Sequence, residues 1–134
     1  LNFGKIAEHT NFLIKDFEIK TPSRQTPLRN LSGGNVQKLI MARELSRNPG
    51  VLIAAQPTRG VDIGSTEYIH QRLIAQRQSG TATLLISEDL DEIRNLSDRI
   101  AGIFEGQIMG ILNHDEASIE KLGLMMAGVH LEMA

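Results

Sequence analysis

Cysteine is absent from this chain of 134 residues, which excludes disulfide bonds and thiolate metal ligands as supports of the fold. Long hydrophobic runs are also absent. The apolar stretches Val51–Ala55 and 84–86 are far shorter than the ~20 residues that a membrane-spanning helix needs. Basic residues are not in excess, because 14 Lys and Arg face 16 Asp and Glu, and they are scattered along the chain. Neither a bilayer-spanning segment nor a nucleic-acid partner is expected.

An initiator methionine and a signal peptide are also lacking. The chain opens on Leu1, Asn2 and Phe3, and no basic region is followed by a long apolar one. We therefore expect a piece of a longer protein located in the cytoplasm. The composition, 41% hydrophobic and 22% charged, is typical of a soluble globular protein, and the length suits one domain or part of one.

The residue pattern predicts helices and strands that alternate along the chain. Helices are expected at about 7–17, 32–46, 66–78 and 90–96, with a last one capped by Asp115 or Ser118, and strands at 51–55, 81–86, 99–104 and 107–112. The strands at 51–55 and 81–86 are short apolar runs, which favours burial. A strand, a crossover helix and a second strand form the unit of a parallel sheet.

The most informative segment is Leu31-Ser32-Gly33-Gly34-Asn35, which lies at a predicted helix start. It combines a small hydroxyl, two residues without side chains and backbone N–H groups that lack intrahelical partners. An anion such as phosphate can bind to such a helix start. Taken alone, the segment is better explained as a glycine-flanked helix cap, because such caps are common.

This segment resembles the signature motif of ATP-binding-cassette proteins, and the following segments keep the order of that family. Val51–Ala55 with residues 56–62 resembles the Walker B strand and D-loop, and residues 84–90 resemble the switch strand. The variant of the signature and the sequence at 57–60 are similar to the second cassette in tandem-cassette ATPases of simple-sugar and nucleoside importers. The resemblance covers about residues 12–128.

The same resemblance implies that the catalytic positions of this half are degenerate. Where the family has a Mg²⁺-binding carboxylate, a water-polarising glutamate and a switch histidine, this sequence has Ala55, Gln56 and Glu88. Ala55 offers no oxygen to a cation, Gln56 is a poor proton acceptor, and Glu88 brings negative charge. The glycine-rich P-loop with its lysine has no counterpart in these residues. The chain alone is predicted to be inactive, although each of the three residues also fits an ordinary strand end, loop or solvated surface.

The expected fold is α/β: a partial P-loop NTPase fold of the cassette type, with a parallel sheet, flanking helices and a terminal β-hairpin. The whole range 1–134 would form part of one nucleotide-binding domain. About 1–48 would hold the helical and signature region, and about 49–134 the Walker B, D-loop and switch half. A metal site or catalytic triad is not expected, because the four histidines are dispersed: His9, His70, His114 and His130.

In this family, two cassettes dock head to tail, and each ATP lies between the P-loop of one and the signature motif of the other. The resemblance therefore implies that this half closes the ATP site of a partner cassette, with its own site degenerate. ATP and Mg²⁺ would be bound mainly by the partner. The phosphate-contacting residues would be Ser32, Gly33, Gly34 and Asn35, and Asp62 of the D-loop would bridge the dimer.

The expected partners are a second cassette and transmembrane permease subunits, at the inner face of the cell membrane. Self-association through an uncovered sheet edge and apolar face is also expected. Two alternatives stay open: a non-catalytic interaction or regulatory module of a transporter, and a soluble cassette ATPase. The transported solute does not follow from these residues.

Overall fold

A computed structural model describes residues 1–131, which form two compact units, Leu1–Leu84 and a second that begins at Leu85. The predicted order of helices and strands is confirmed. The helices are α1 (Phe3–Asp16), α2 (Gly33–Leu45), α3 (Ile63–Gln78), α4 (Leu90–Leu96) and α5 (Ile119–Met126), and the strands are β1 (Val51–Ala55), β2 (Ala82–Ile86), β3 (Arg99–Phe104) and β4 (Gln107–Asn113). Short 3₁₀ helices cover Leu28–Asn30 and His114–Glu116.

Two helices begin earlier than predicted because polar side chains cap them. The Asn2 side chain accepts a hydrogen bond from the Lys5 backbone N–H, so α1 begins at Phe3. Asp62 does the same for Ser65, so α3 begins at Ile63 and not near 66. Of the two caps proposed for the last helix, Ser118 is the one observed. Such caps satisfy N–H groups that the first helical turn leaves without partners.

The core of the first unit lies where α1 and α2 meet. Phe17, Ile19, Ala42 and Leu45 are buried there, and Leu39 and Met41 pack against them together with Leu13, Ile14 and Leu52. Helix α2 also contacts α3, on which Ile69 and Leu73 are buried. The prediction that α2 is wedged between other elements is therefore confirmed.

The sheet of β1 and β2 is two-stranded and parallel, as predicted. The Ala82 backbone N–H donates to the Gly50 carbonyl over 3.0 Å at the start of both strands. The prediction that these strands are buried is wrong: the apolar side chains stay exposed, by 69% at Val51, 66% at Ile53 and 56% at Leu84. Within residues 1–131, no third strand joins this sheet, so apolar residues typical of an interior face water.

The second unit consists of a hairpin with a helix packed on it. Strands β3 and β4 pair antiparallel from Arg99 opposite Asn113 to Phe104 opposite Gln107. The predicted turn at Glu105 and Gly106 is confirmed. Both residues have positive φ, 47° and 78°, which matches the twist of a two-residue hairpin. The core comprises Ile100, Met109, Leu112, Ala117, Leu122 and Met125.

None of the helices in residues 1–131 is both long and apolar enough to cross a membrane.

Candidate functional site

Ser32 is the N-cap residue of α2, but its side chain accepts no hydrogen bond from a backbone N–H of the first helical turn. Its backbone is extended, and its carbonyl accepts the Val36 N–H over 2.9 Å. The hydroxyl therefore does not occupy the N–H groups of the first turn, which point out from the helix start. Ser32 and Gly33 are both exposed. This end of α2 can accept an anion from solvent, because the N–H groups and the helix dipole act together there.

Asn35 fixes the orientation of the Ser32 hydroxyl. The Asn35 amide nitrogen donates to Ser32 Oγ over 2.8 Å, and its amide oxygen accepts the Lys20 backbone N–H over 2.7 Å. Because Ser32 Oγ accepts from Asn35, the hydroxyl hydrogen remains available to donate to an external acceptor such as a phosphate oxygen. Sequence reasoning missed Lys20, since its contribution is a backbone N–H that no side-chain pattern reveals.

The two glycines of the motif pack against the segment that leads into α3. Gly34 is buried, and a Cβ placed on it would lie 2.2 Å from Ser65 Oγ and 2.9 Å from Ser65 Cβ. A Cβ on Gly33 would lie 3.3 Å from the carbonyl oxygen of Gly60. Packing within this chain therefore requires glycine at position 34. The structure brings the signature segment and the D-loop segment together.

Asp62 uses its carboxylate to cap α3. One oxygen accepts the Ser65 backbone N–H over 3.0 Å, and the other accepts the Ser65 hydroxyl over 2.9 Å. These bonds, the backbone one first, hold the pKa of Asp62 below its ordinary value. The carboxylate thus lies beside Gly34, directed at its own helix. A role for Asp62 in bridging two cassettes stays a prediction.

The three degenerate positions lie at the end of β1 or after β1 and β2 along the chain. Ala55 ends β1 and is exposed, and Gln56 follows with a φ of 49°, a left-handed conformation that costs a non-glycine residue about 1–2 kcal/mol. Glu88 is exposed in the second unit, shortly before α4. Neither Ala55 nor neutral Gln56 offers a carboxylate, so this pair does not fit Mg²⁺. Among residues 1–131, no group of three or more His, Cys, Asp or Glu could hold a metal ion.

Arg72 of α3 joins this helix to the C-terminal end of α1, and its neighbour Tyr68 contacts Lys38 of α2. Its guanidinium donates to Tyr68 Oη over 2.8 Å, donates to the Asp16 carbonyl, and lies 4.4 Å from the centroid of the Phe17 ring. The Lys38 ammonium of α2 lies 4.1 Å from the centroid of the Tyr68 ring. Burial raises the pKa of Tyr68, against the opposing effect of the Arg72 hydrogen bond. Sequence reasoning missed this cluster because its members are far apart in the chain.

Solved structures define the class of fold. The chain superposes on the dimeric ATP-binding cassette MJ0796, solved with ADP and Pi, with a TM-score of 0.69 and 24% identity over 80% of this chain and 46% of that one. It also superposes on the ADP conformation of the transporter cassette MJ1267, with a TM-score of 0.71 and 23% identity over 90% of this chain and 49% of that one. The fold is that of an ATP-binding cassette.

Sequence relatives give the family. The chain is 52% identical over 128 residues to the guanosine import ATP-binding protein NupO of Bacillus subtilis, and 48% identical over 128 residues to the nucleoside import ATP-binding protein NupA of Lactococcus lactis subsp. cremoris; each match covers 96% of this chain and 25% of the relative. It is 43% identical to the ribose import ATP-binding protein RbsA of Clostridium perfringens, over 92% of this chain and 25% of that protein. The chain belongs to the ATP-binding cassette family. It spans a quarter of the length of these curated relatives, and no protein-family model matches it.

Proposed function

We propose that the chain acts within the ATP-binding subunit of an importer of nucleosides or simple sugars, where it supplies the signature motif to an ATP site whose P-loop belongs to a second cassette. The names of the relatives support the importer class, since they refer to guanosine, nucleoside and ribose import. The dimeric state of a solved cassette with the same fold supports the pairing of two cassettes.

The observation that carries the proposal is the contrast between two segments of the first unit. The signature segment presents an exposed Ser32 hydroxyl held by Asn35 at an open helix start. The end of β1 presents Ala55 and Gln56, which lack a carboxylate. The first segment is suited to contact phosphate, and the second is unsuited to hold Mg²⁺ or to accept a proton from water.

When ATP is bound between two cassettes, it supplies the phosphoanhydride that water cleaves. On this chain, Ser32 would donate its hydroxyl hydrogen to a phosphate oxygen, and the N–H groups at the start of α2 would add further donors. Their preset orientation would stabilise charge on the phosphate as it develops. The Mg²⁺ ligands and the water-activating carboxylate would come from the partner cassette.

The proposed surroundings follow from the same relatives. A second cassette and permease subunits would be the protein partners, and the chain would work in the cytoplasm at the inner face of the cell membrane. This location is proposed because the relatives are ATP-binding proteins of import systems.

The test is the substitution Ser32→Arg in the complete importer subunit. An arginine at the N-cap removes the hydroxyl and places a long cationic side chain where phosphate would dock, so ATP turnover should fall at least about 100-fold, the loss typical of a missing transition-state donor. Ser46, the exposed C-cap at the other end of α2, is the matched control, and Ser46→Arg should stay within about twofold of the unchanged protein, as for a neutral surface substitution. Unaltered turnover and transport in Ser32→Arg would refute the proposal.

One second candidate is favoured by a specific observation. Because Ala55 and Gln56 carry no charge, the chain would also suit a non-catalytic module that braces transporter subunits without using nucleotide. The two functions differ in one measurement. A signature-donating chain should associate with a competent cassette only when ATP is present, whereas a brace should bind its partner equally well without nucleotide.

A further inference from the structure

Ser65 makes the tightest of the contacts between the two segments of the site, and Asp62 Oδ2 would lie next to it, 3.2 Å from a Cβ on Gly34. The Ser65 hydroxyl donates to Asp62 Oδ2 over 2.9 Å, and Ser65 Oγ would lie only 2.2 Å from a Cβ on Gly34. Ser65 is half-buried, and Gly34 is buried. Real Cβ atoms essentially never approach a heavy atom within 3.0 Å, and the 2.9 Å approach to Ser65 Cβ would also fall inside this limit. The backbone of α2 thus lies directly on the Ser65 side chain.

We propose that Ser65 is a positioning residue that couples the signature segment at Gly34 to the D-loop carboxylate of Asp62. A displacement of α2 toward Ser65 would press Gly34 against Ser65 Oγ and so disturb the hydrogen bond that this hydroxyl donates to Asp62. Conversely, a movement of the D-loop would change the contact between Ser65 and Gly34. The inference rests on the proposed function, since it assumes that these two segments contact the ATP sites of a cassette pair.

The coupling gives Gly34 a second reason to be glycine. A phosphate-binding role requires close approach from outside the chain, and substitution of Ser65 would not affect that requirement. A packing role requires space on the inner side, which Ser65 occupies. The two requirements separate in a double mutant, because shortening Ser65 restores space only on the inner side.

The experiment measures ATP turnover in the assembled importer and the thermal unfolding midpoint of the same subunit. The variants are Gly34→Ala, Ser65→Gly and the double mutant. We expect Gly34→Ala to lower turnover by roughly tenfold or more in the unchanged protein but by less than about threefold in the Ser65→Gly background, a coupling typical of residues in contact. Combining Gly34→Ala with Ser65→Ala should recover less, because the Ser65 Cβ remains within 2.9 Å. Gly123→Ala on α5 is the control, since a Cβ there meets no heavy atom within 4 Å.

The single substitution Ser65→Ala separates positioning from stability. It removes the hydroxyl but keeps the backbone N–H that caps α3 through Asp62 Oδ1. The unfolding midpoint should therefore stay close to that of the unchanged protein, while turnover at saturating ATP falls several-fold. If Ser65 had a purely structural role, Ser65→Ala would lower both the unfolding midpoint and the turnover, or neither of them. Either result would overturn the coupling, even if Gly34→Ala failed to fold.

Two outcomes distinguish this inference from the proposed function. If Ser32→Arg abolishes turnover but Gly34→Ala costs as much turnover in the Ser65→Gly background as in the unchanged protein, signature donation stands and the coupling through Ser65 is wrong. If Ser32→Arg leaves turnover unchanged, the proposed function fails, and the coupling fails with it. Recovery in the double mutant together with loss in Ser32→Arg supports both.

Discussion

Asn35 determines what the Ser32 hydroxyl can do. A free serine hydroxyl rotates among several partners, but the Asn35 amide donates to Ser32 Oγ and so commits that oxygen to accepting. The Asn35 oxygen is itself held by the Lys20 N–H, which leaves the amide little freedom to turn. The donor that the proposed function needs is thus oriented before any phosphate arrives, and this preorganisation is what makes such a donor effective.

Asp62 should make the stability of the protein depend on pH. Its folded pKa is lowered by the two bonds from Ser65, the backbone bond first. A lowered folded pKa means that this stabilisation is present above the unfolded value of about 3.9 and is lost as the pH falls through the folded pKa. We expect Asp62→Ala to lower the thermal unfolding midpoint at neutral pH and to converge with the unchanged protein in acid.

Thermal unfolding followed by circular dichroism between neutral pH and acid checks this expectation. Asp115→Ala is the control, because that carboxylate is exposed in the 3₁₀ helix His114–Glu116 and the substitution leaves the cap of α3 intact. A difference between Asp62→Ala and the unchanged protein that does not vary with pH would contradict the assigned role of the carboxylate.

At the scale of elements, Arg72 holds α3 against the C-terminal end of α1. Replacing it with Met keeps part of the apolar stem over Phe17 but removes the hydrogen bonds to Tyr68 and to the Asp16 carbonyl. The expected loss is about 2 kcal/mol in the free energy of unfolding, the usual effect of deleting a half-buried charged donor. Urea unfolding measures it. Arg43→Met, which breaks only the exposed pair with Glu44, should cost less than about 1 kcal/mol, and equal losses for the two would refute the role of Arg72.

The Met125 side chain packs α5 against the hairpin. It is fully buried, and its sulfur would lie 3.1 Å from a Cβ on Gly102 or on Gly110, so the two glycines form the seat for its side chain. We expect Met125→Ala to lower the free energy of unfolding by about 2–5 kcal/mol, because it leaves a cavity at this seat. The neighbouring Met126 is 49% exposed, and Met126→Ala in the same urea titration should have a small effect. A small effect at both positions would contradict the packing of α5 through Met125.

The sequence predicts the elements well where the signal is local and poorly where it depends on distant residues. The turn at Glu105 and Gly106 and the strand Val51–Ala55 follow from patterns within a few residues. The residue pattern predicts the start of α3 near residue 66, three residues too late, although an Asp three residues before Ser65 is a capping signal. Burial of β1 was predicted wrongly, because apolar composition indicates that a strand favours an interior but not whether an element covers it.

The candidate site divides in the same way. Ser32 at a helix start was readable from the order of residues around it, and the structure confirms it as the N-cap of α2. The contact of Gly34 with Ser65 and the bond from Lys20 to Asn35 join segments separated by 15 residues or more. No local pattern encodes these contacts, because they depend on how α2 packs on its neighbours.

At the scale of the whole molecule, exposed apolar strands should promote self-association. Val51 and Ile53 on β1 are more than 60% exposed, and Leu84 and Ile86 on β2 are exposed as well. Exposed strands of this composition favour pairing with another chain. We expect the apparent mass in size-exclusion chromatography with light scattering to rise with protein concentration. Ile53→Thr should reduce this rise, whereas Ile63→Thr, at an 85% exposed site on α3, should not, and a monomer at every concentration would contradict the expectation.

At the scale of the assembly, the proposed pair is asymmetric, since this chain would provide a signature segment but not the Mg²⁺ and water-activating groups. The solved cassettes extend beyond it, since the match covers 46–49% of their chains. A segment that works only against a partner should therefore show little affinity for nucleotide by itself. This dependence on a partner distinguishes a signature-donating chain from an ATPase that works alone.

The most direct test is ATP binding measured by calorimetry, first with this chain alone and then with a competent cassette that carries its own P-loop. The account predicts no measurable ATP binding by the chain alone and ATP-dependent association once the partner is present, with Ser32→Arg abolishing that association. Tight ATP binding by the chain alone would contradict it, because the phosphate site would then lie within these residues and not across a pair of cassettes.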